Sequence, residues 1–177
     1  MLTDAPPTRR KFFHAWDEID YLYNKILYWA YEVQSWRRAG DFSSRLKALL
    51  SLHDPNCRAI LGASARTLIA EVEGDFSTAI KYRKREMGLI AKLRKIGGPG
   101  TQDFGPEDIS DRMDLLAGLH WDAGNLRKAQ ELLEESREYC EKNHVPFDGG
   151  EMLEELIEKR SMQNLNGKSR VHAKAGK

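Results

Sequence analysis

The chain is poor in most features that would betray catalysis or a membrane. Cysteine occurs twice in 177 residues, as Cys57 and Cys140, in no motif. Such a pair, with no secretory signature ahead of it, reads as two reduced, buried small side chains rather than a disulfide framework. No apolar run approaches the ~20 residues of a membrane span. The opening Met1-Leu2-Thr3-Asp4-Ala5-Pro6-Pro7 lacks the basic and apolar regions of a signal peptide, so the expected location is cytoplasmic. Neither sign of charge dominates: 28 Lys and Arg stand against 27 Asp and Glu, a net charge of +1. That balance excludes a global pull toward nucleic acid or acidic lipid. Period-two alternation is missing and β-branched residues are too sparse for a sheet. What remains is an all-α chain.

Catalytic constellations are equally scarce. His14, His53, His120, His144 and His172 show no metal-ligand spacing with Cys, Asp or Glu beyond the adjacent pair His53-Asp54. That pair precedes Pro55 and reads as a helix end. Gly97-Gly98-Pro99-Gly100 has no Gly-Lys-Ser/Thr after it and no strand before it, so it is a flexible connection, not a phosphate-binding loop. No catalytic residue, metal or cofactor is expected, and the chain does not read as an enzyme.

What is present is helical periodicity punctuated by a recurring turn. Ala39-Gly40-Asp41-Phe42, Glu73-Gly74-Asp75-Phe76 and Ala123-Gly124-Asn125-Leu126 each read as the end of one amphipathic stretch and the start of the next. Glycine ends a helix in a left-handed conformation at no steric cost. The Asp or Asn after it is suited to cap the following helix. The pattern predicts helices over 12–39, 43–53, 56–73, 76–96, 108–123, 126–143 and 151–163. Between the fourth and fifth lies the Gly/Pro-rich insert 97–106. Residues 166–177 carry four bases and no acid and read as a disordered tail.

Gly40 and Gly74 are 34 residues apart, and Gly74 and Gly124 are 50 apart. The first spacing is the period of the tetratricopeptide (TPR) helix-turn-helix repeat. With Leu116-Ala117, Ala129 and Leu133 in the third unit, and Thr67, Gly74, Phe76 and Ala79 in the second, the chain resembles the TPR family over roughly 26–143. The first unit departs from the pattern, with Arg45 and Val33 where small residues belong.

The resemblance implies a single domain over 1–165: repeats at about 26–54, 56–96 and 108–143, stacked as antiparallel hairpins, with 151–163 as a capping helix. It also implies a non-catalytic scaffold that binds a peptide or partner protein in a concave groove. Carried over from the family's geometry, that groove is lined by Ala30, Gln34 and Arg37, by Ser64, Leu68 and Glu71, and by Asp111, Asp114, Gly118 and Trp121. Its acids would favour a basic or amine-bearing ligand. Only Arg37 among them is cationic, which disfavours clamping of a C-terminal carboxylate.

Two further features concern partners. Nine of the sixteen aromatics lie between Phe12 and Trp36. Ala15, Ile19, Leu22, Ile26, Trp29, Val33 and Trp36 form a heptad-type seam beside a second apolar stripe. A helix apolar over so much of its circumference is either a broadly buried core helix or the interface of a homodimer through Leu22, Trp29 and Trp36. In the fourth helix Lys81, Lys84, Arg85, Lys92 and Lys95 share about 100° of arc. This row is either a solvated face or a surface for phosphates, which with the basic tail makes a nucleic-acid accessory role the alternative function. Contact with the acidic stretch 131–158 of another subunit is the remaining reading.

Overall fold

The computed structural model describes residues 14–53, 58–97, 104–147, 149–151, 153–155 and 157. Among them every regular element is helical: α1 (Ala15–Leu27) running into a π-helical segment (Tyr28–Glu32), α2 (Trp36–Ser51), α3 (Ala59–Val72), α4 (Phe76–Ile96), α5 (Pro106–Asp122) and α6 (Leu126–Asn143). Further helical residues occur at 149–151, 153–155 and 157. The basic tail, Cys57, Asp54 and most of the 97–106 insert lie outside the described residues. Contacts divide the chain into two compact units, Met1–Ile96 and Gly97–Lys177.

The first unit is built around α3, which packs on α4, α2 and α1. Eight of its fourteen residues are buried, and six of those are no larger than threonine: Gly62, Ala63, Ser64, Ala65, Thr67 and Ala70. Small side chains let neighbouring helices approach this central element closely. Ile19, Leu22, Ile26 and Ala30 from the first helix meet Ala39, Phe42, Leu46, Leu49 and Leu50 from α2 and Ala65, Leu68 and Ile69 from α3. Burying each of the large aliphatics contributes about 1.5–3 kcal/mol. In the second unit α5 packs on α6, with Leu116, Ala117 and Leu119 facing Ala129, Leu132, Leu133 and Cys140 in its interior.

The turns at Gly74 and Gly124 form as expected, and they are the same turn. Gly74 has φ +74° and Gly124 φ +79°. Asp75 N–H donates to the Ala70 carbonyl and Gly74 N–H to Glu71; Asn125 N–H donates to His120 and Gly124 N–H to Trp121. This paired pattern is a Schellman motif, which needs its penultimate residue in the left-handed region. The likeness extends along the hairpins. Thr67 and Ala79 flank Gly74 at the same distances in sequence as Ala117 and Ala129 flank Gly124, and all four are fully buried. The caps differ: the Asp75 carboxylate accepts from Thr78 N–H at 3.1 Å, whereas Asn125 makes no side-chain cap. A third such turn ends α6, with His144 at φ 57° in place of glycine.

The first expected turn is not a turn. Gly40 lies inside α2, with no positive φ. The unbroken helix expected over 12–39 instead ends near Glu32, where Val33 N–H reaches the Tyr28 carbonyl at 3.0 Å and Ser35 N–H reaches Trp29 at 2.7 Å. Gln34, at φ 54°, closes this widened turn. The reason lies in the apolar pattern. Ala39, Phe42, Ser43, Leu46, Leu49 and Leu50 form one buried face that runs straight across Gly40, so stopping there would split a face the core needs whole. Of the two positions that break the repeat pattern, Val33 lies at the corner and Arg45 inside α2. Val33 is exposed beside the turn, and exposed Arg45 pairs with Glu18 at 2.9 Å. The first repeat at 26–54 is therefore replaced by a hairpin of α1 and α2 with its corner at 33–35.

Candidate functional site

The residues expected to line the groove divide by burial. In the first unit Ser64 and Leu68 are buried, at 8% and 3% exposure, because α3 is covered on nearly all sides; Ser64 Oγ donates back to Ile60 O. Ala30 is core. Glu71 is half-buried and accepts from the Tyr31 hydroxyl. Gln34 and Arg37 are exposed, but at the corner. In the second unit Asp111 is exposed and Gly118 and Trp121 are half-buried. Asp114 is half-buried. Burial pushes its carboxyl above the usual carboxylate range, with Ser136 and the Gly150 N–H pulling the other way. A Cβ on Gly149 would come within 3.0 Å of Asp114 Oδ2, and one on Gly150 would run into the Phe147 ring. The glycine pair thus lets the last helical segment start against α5. Ser64 and Leu68 are not available to a groove ligand.

The supposed dimer stripe is dismantled by the same corner. Leu22 is fully buried in the core. Trp29 is half-buried, with the Arg38 guanidinium 4.5 Å above its ring. Trp36 belongs to the next helix and is 45% exposed. A seven-residue step keeps side chains on one face only while the helix continues, and here it does not.

What the corner creates in exchange is the most conspicuous surface of the described residues. Tyr28, Tyr31, Val33 and Trp36 are 38–45% exposed within nine residues of chain. Tyr31 and Trp36 meet edge to face at 5.8 Å, as do Tyr28 and Trp29 at 5.4 Å. Such pairs hold rings in place beyond what burial alone would do. The Lys25 ammonium lies 5.7 Å from the Tyr21 ring and 5.9 Å from Tyr28. Beneath, the Tyr31 hydroxyl is anchored on Glu71, and its burial, then the Glu71 carboxylate, push the phenol far above its ordinary range. In α4 the buried pair Arg83–Glu86, at 2.5 Å, adds charge to the interior. Sequence reasoning assigned the aromatics to a face and missed the corner. Its signal was the polar break Gln34-Ser35, without a glycine.

Two other places on the described surface carry charged side chains. A cleft of about 330 Å³ in the first unit is lined by Leu50, Ile69, Ala70, Lys47, Arg66 and Tyr82. Its cations are engaged internally: Lys47 pairs with Glu73 at 2.7 Å, and Arg66 donates to the Gly62 carbonyl at 2.9 Å. On α4, Lys81, Lys84, Arg85, Lys92 and Lys95 are all exposed. Among the described residues no three His, Cys, Asp or Glu side chains converge on a metal-sized site, and no helix is long and apolar enough to cross a membrane. Comparison with protein-family profiles, with characterised proteins and with solved structures returns no match.

Proposed function

We propose that the chain is a non-catalytic protein-interaction module whose binding surface is the aromatic corner at 28–38. The observation that carries this reading is the exposure of four large apolar side chains within nine residues, fixed by edge-to-face contacts and ringed by cations. Left in water, such a patch forgoes the burial energy that core residues gain, about 25 cal/mol per Å². Contiguous exposed apolar patches mark interaction sites, and Tyr, Trp and Arg are the residues that dominate binding hot spots. Lys25, Arg37 and Arg38 outnumber Glu32 at its edge, so the partner is an acidic segment carrying leucine or aromatic anchors. The surface thus differs in place and in charge from a concave groove selecting basic ligands. The helix pairs α3–α4 and α5–α6 are read as TPR-like, supported by their matched Schellman turns and their four matched buried small residues.

Panning a displayed random-peptide library on the protein tests this. Peptides combining Asp or Glu with apolar anchors should be enriched, and a Trp36→Ala, Arg37→Ala double variant should not enrich them. Equal enrichment by protein and variant contradicts the proposal, as does selection of basic peptides.

A further inference from the structure

We infer that the basic row on α4 is a docking surface for a second copy of this chain, taken by the acidic row on α6. Lys81, Lys84, Arg85, Lys92 and Lys95 are exposed, and among the described residues none of the five makes a side-chain hydrogen bond or ion pair. At 1.5 Å per residue they extend over about 21 Å of helix. The one acid within that stretch, Glu86, is 1% exposed and paired with Arg83, so nothing on the outer face offsets the row. On α6, Glu134, Glu138 and Glu141 recur at steps of four and three, are exposed, and have no partner among the described residues. Each row lies along one helix face.

The partition of charge between the units favours a second copy over a nucleic acid. By sequence, residues 1–96 hold 17 bases and 11 acids, whereas residues 97–177 hold 11 bases and 16 acids. The row on α4 carries no aromatic on which bases could stack. A second copy carries the complementary sign on α6. The contact uses different surfaces on the two molecules and is therefore heterologous. Exposed ion pairs are individually weak and salt-screened, so the association is expected to be reversible and strongest at low ionic strength. It is independent of the aromatic corner.

Sedimentation with swapped charges tests the inference. One variant carries Lys81→Glu, Lys84→Glu and Arg85→Glu; the other carries Glu134→Lys, Glu138→Lys and Glu141→Lys; circular dichroism checks that both stay helical. In about 20 mM salt the unmodified protein should exceed monomer mass, and in about 500 mM it should return to monomer. Each variant alone should be monomeric, and their equimolar mixture should associate again. If a reversed variant misfolds, the neutral set Lys81→Gln, Lys84→Gln and Arg85→Gln should weaken association about tenfold. Monomeric unmodified protein at low salt overturns the inference, as does a folded mixture that stays monomeric. Steeply salt-dependent binding of a fluorescent oligonucleotide that the Lys81→Glu set abolishes, with no self-association, also overturns it in favour of a nucleic-acid surface.

Discussion

Substituting three glycines by alanine separates the observed fold from a regular repeat array. At Gly40 the backbone is helical and an added Cβ meets nothing within 4 Å. Glycine inside a helix costs roughly 0.5–1 kcal/mol relative to alanine, mainly in backbone entropy. Gly40→Ala should therefore stabilise the protein by about that amount, a rise of about 1–4 °C in Tm for a chain of this length. At Gly74 and Gly124 there is equally open space, but φ is +74° and +79°. A non-glycine residue there costs about 1–2 kcal/mol, offset in part by the alanine's smaller loss of chain entropy. The net is a loss of about 1 kcal/mol at either site. Urea denaturation followed by far-UV circular dichroism resolves the signs. A loss at Gly40 equal to that at Gly74 would refute the continuous α2 and restore a turn at residue 40.

Three further outcomes follow from packing and charge. Ala129 is fully buried between α5 and α6, so Ala129→Leu should cost about 1–3 kcal/mol by overpacking, while Lys84→Leu on the exposed face of α4 should leave thermal unfolding almost unmoved. Glu86→Gln leaves the Arg83 charge buried beside a neutral partner and should cost about 3 kcal/mol or more in chemical denaturation, much of which a Glu86→Leu, Arg83→Met double variant should recover. The Asp114 carboxyl is held above its unfolded value, so its contribution to stability is full below the unfolded pKa and is lost as pH rises through the folded one. Asp114→Asn should thus raise Tm near neutral pH, with the advantage vanishing below about pH 4; an advantage that grows on acidification would contradict the assignment.

Much of the fold was legible because its signals are local. Gly74-Asp75 and Gly124-Asn125 mark turns whose left-handed residue is glycine, and α4 and α6 run over the ranges their periodicity predicts. Gly40-Asp41-Phe42 carries the same letters without the same outcome, since the buried face from Ala39 to Leu50 overrides a single helix-breaking residue. The corner at 33–35 was hidden for the complementary reason. A π-helical widening and a left-handed Gln34 have no strong sequence signature, and tertiary packing decides them. The site followed from the fold. Losing the break meant placing Trp36 on the face of Leu22, and treating α3 as a groove wall meant exposing Ser64 and Leu68. The buried Arg83–Glu86 pair was illegible because charge in a helix reads as solvent-facing until the neighbouring helices are in place.

Hydrogen–deuterium exchange of the protein alone and with a library-selected acidic peptide tests the interaction surface most directly. The account predicts slowed exchange concentrated in the π-helical segment, the 33–35 corner and the first turn of α2, abolished by the Trp36→Ala, Arg37→Ala double variant. Protection confined to α5 and α6, with the corner unchanged, would contradict it.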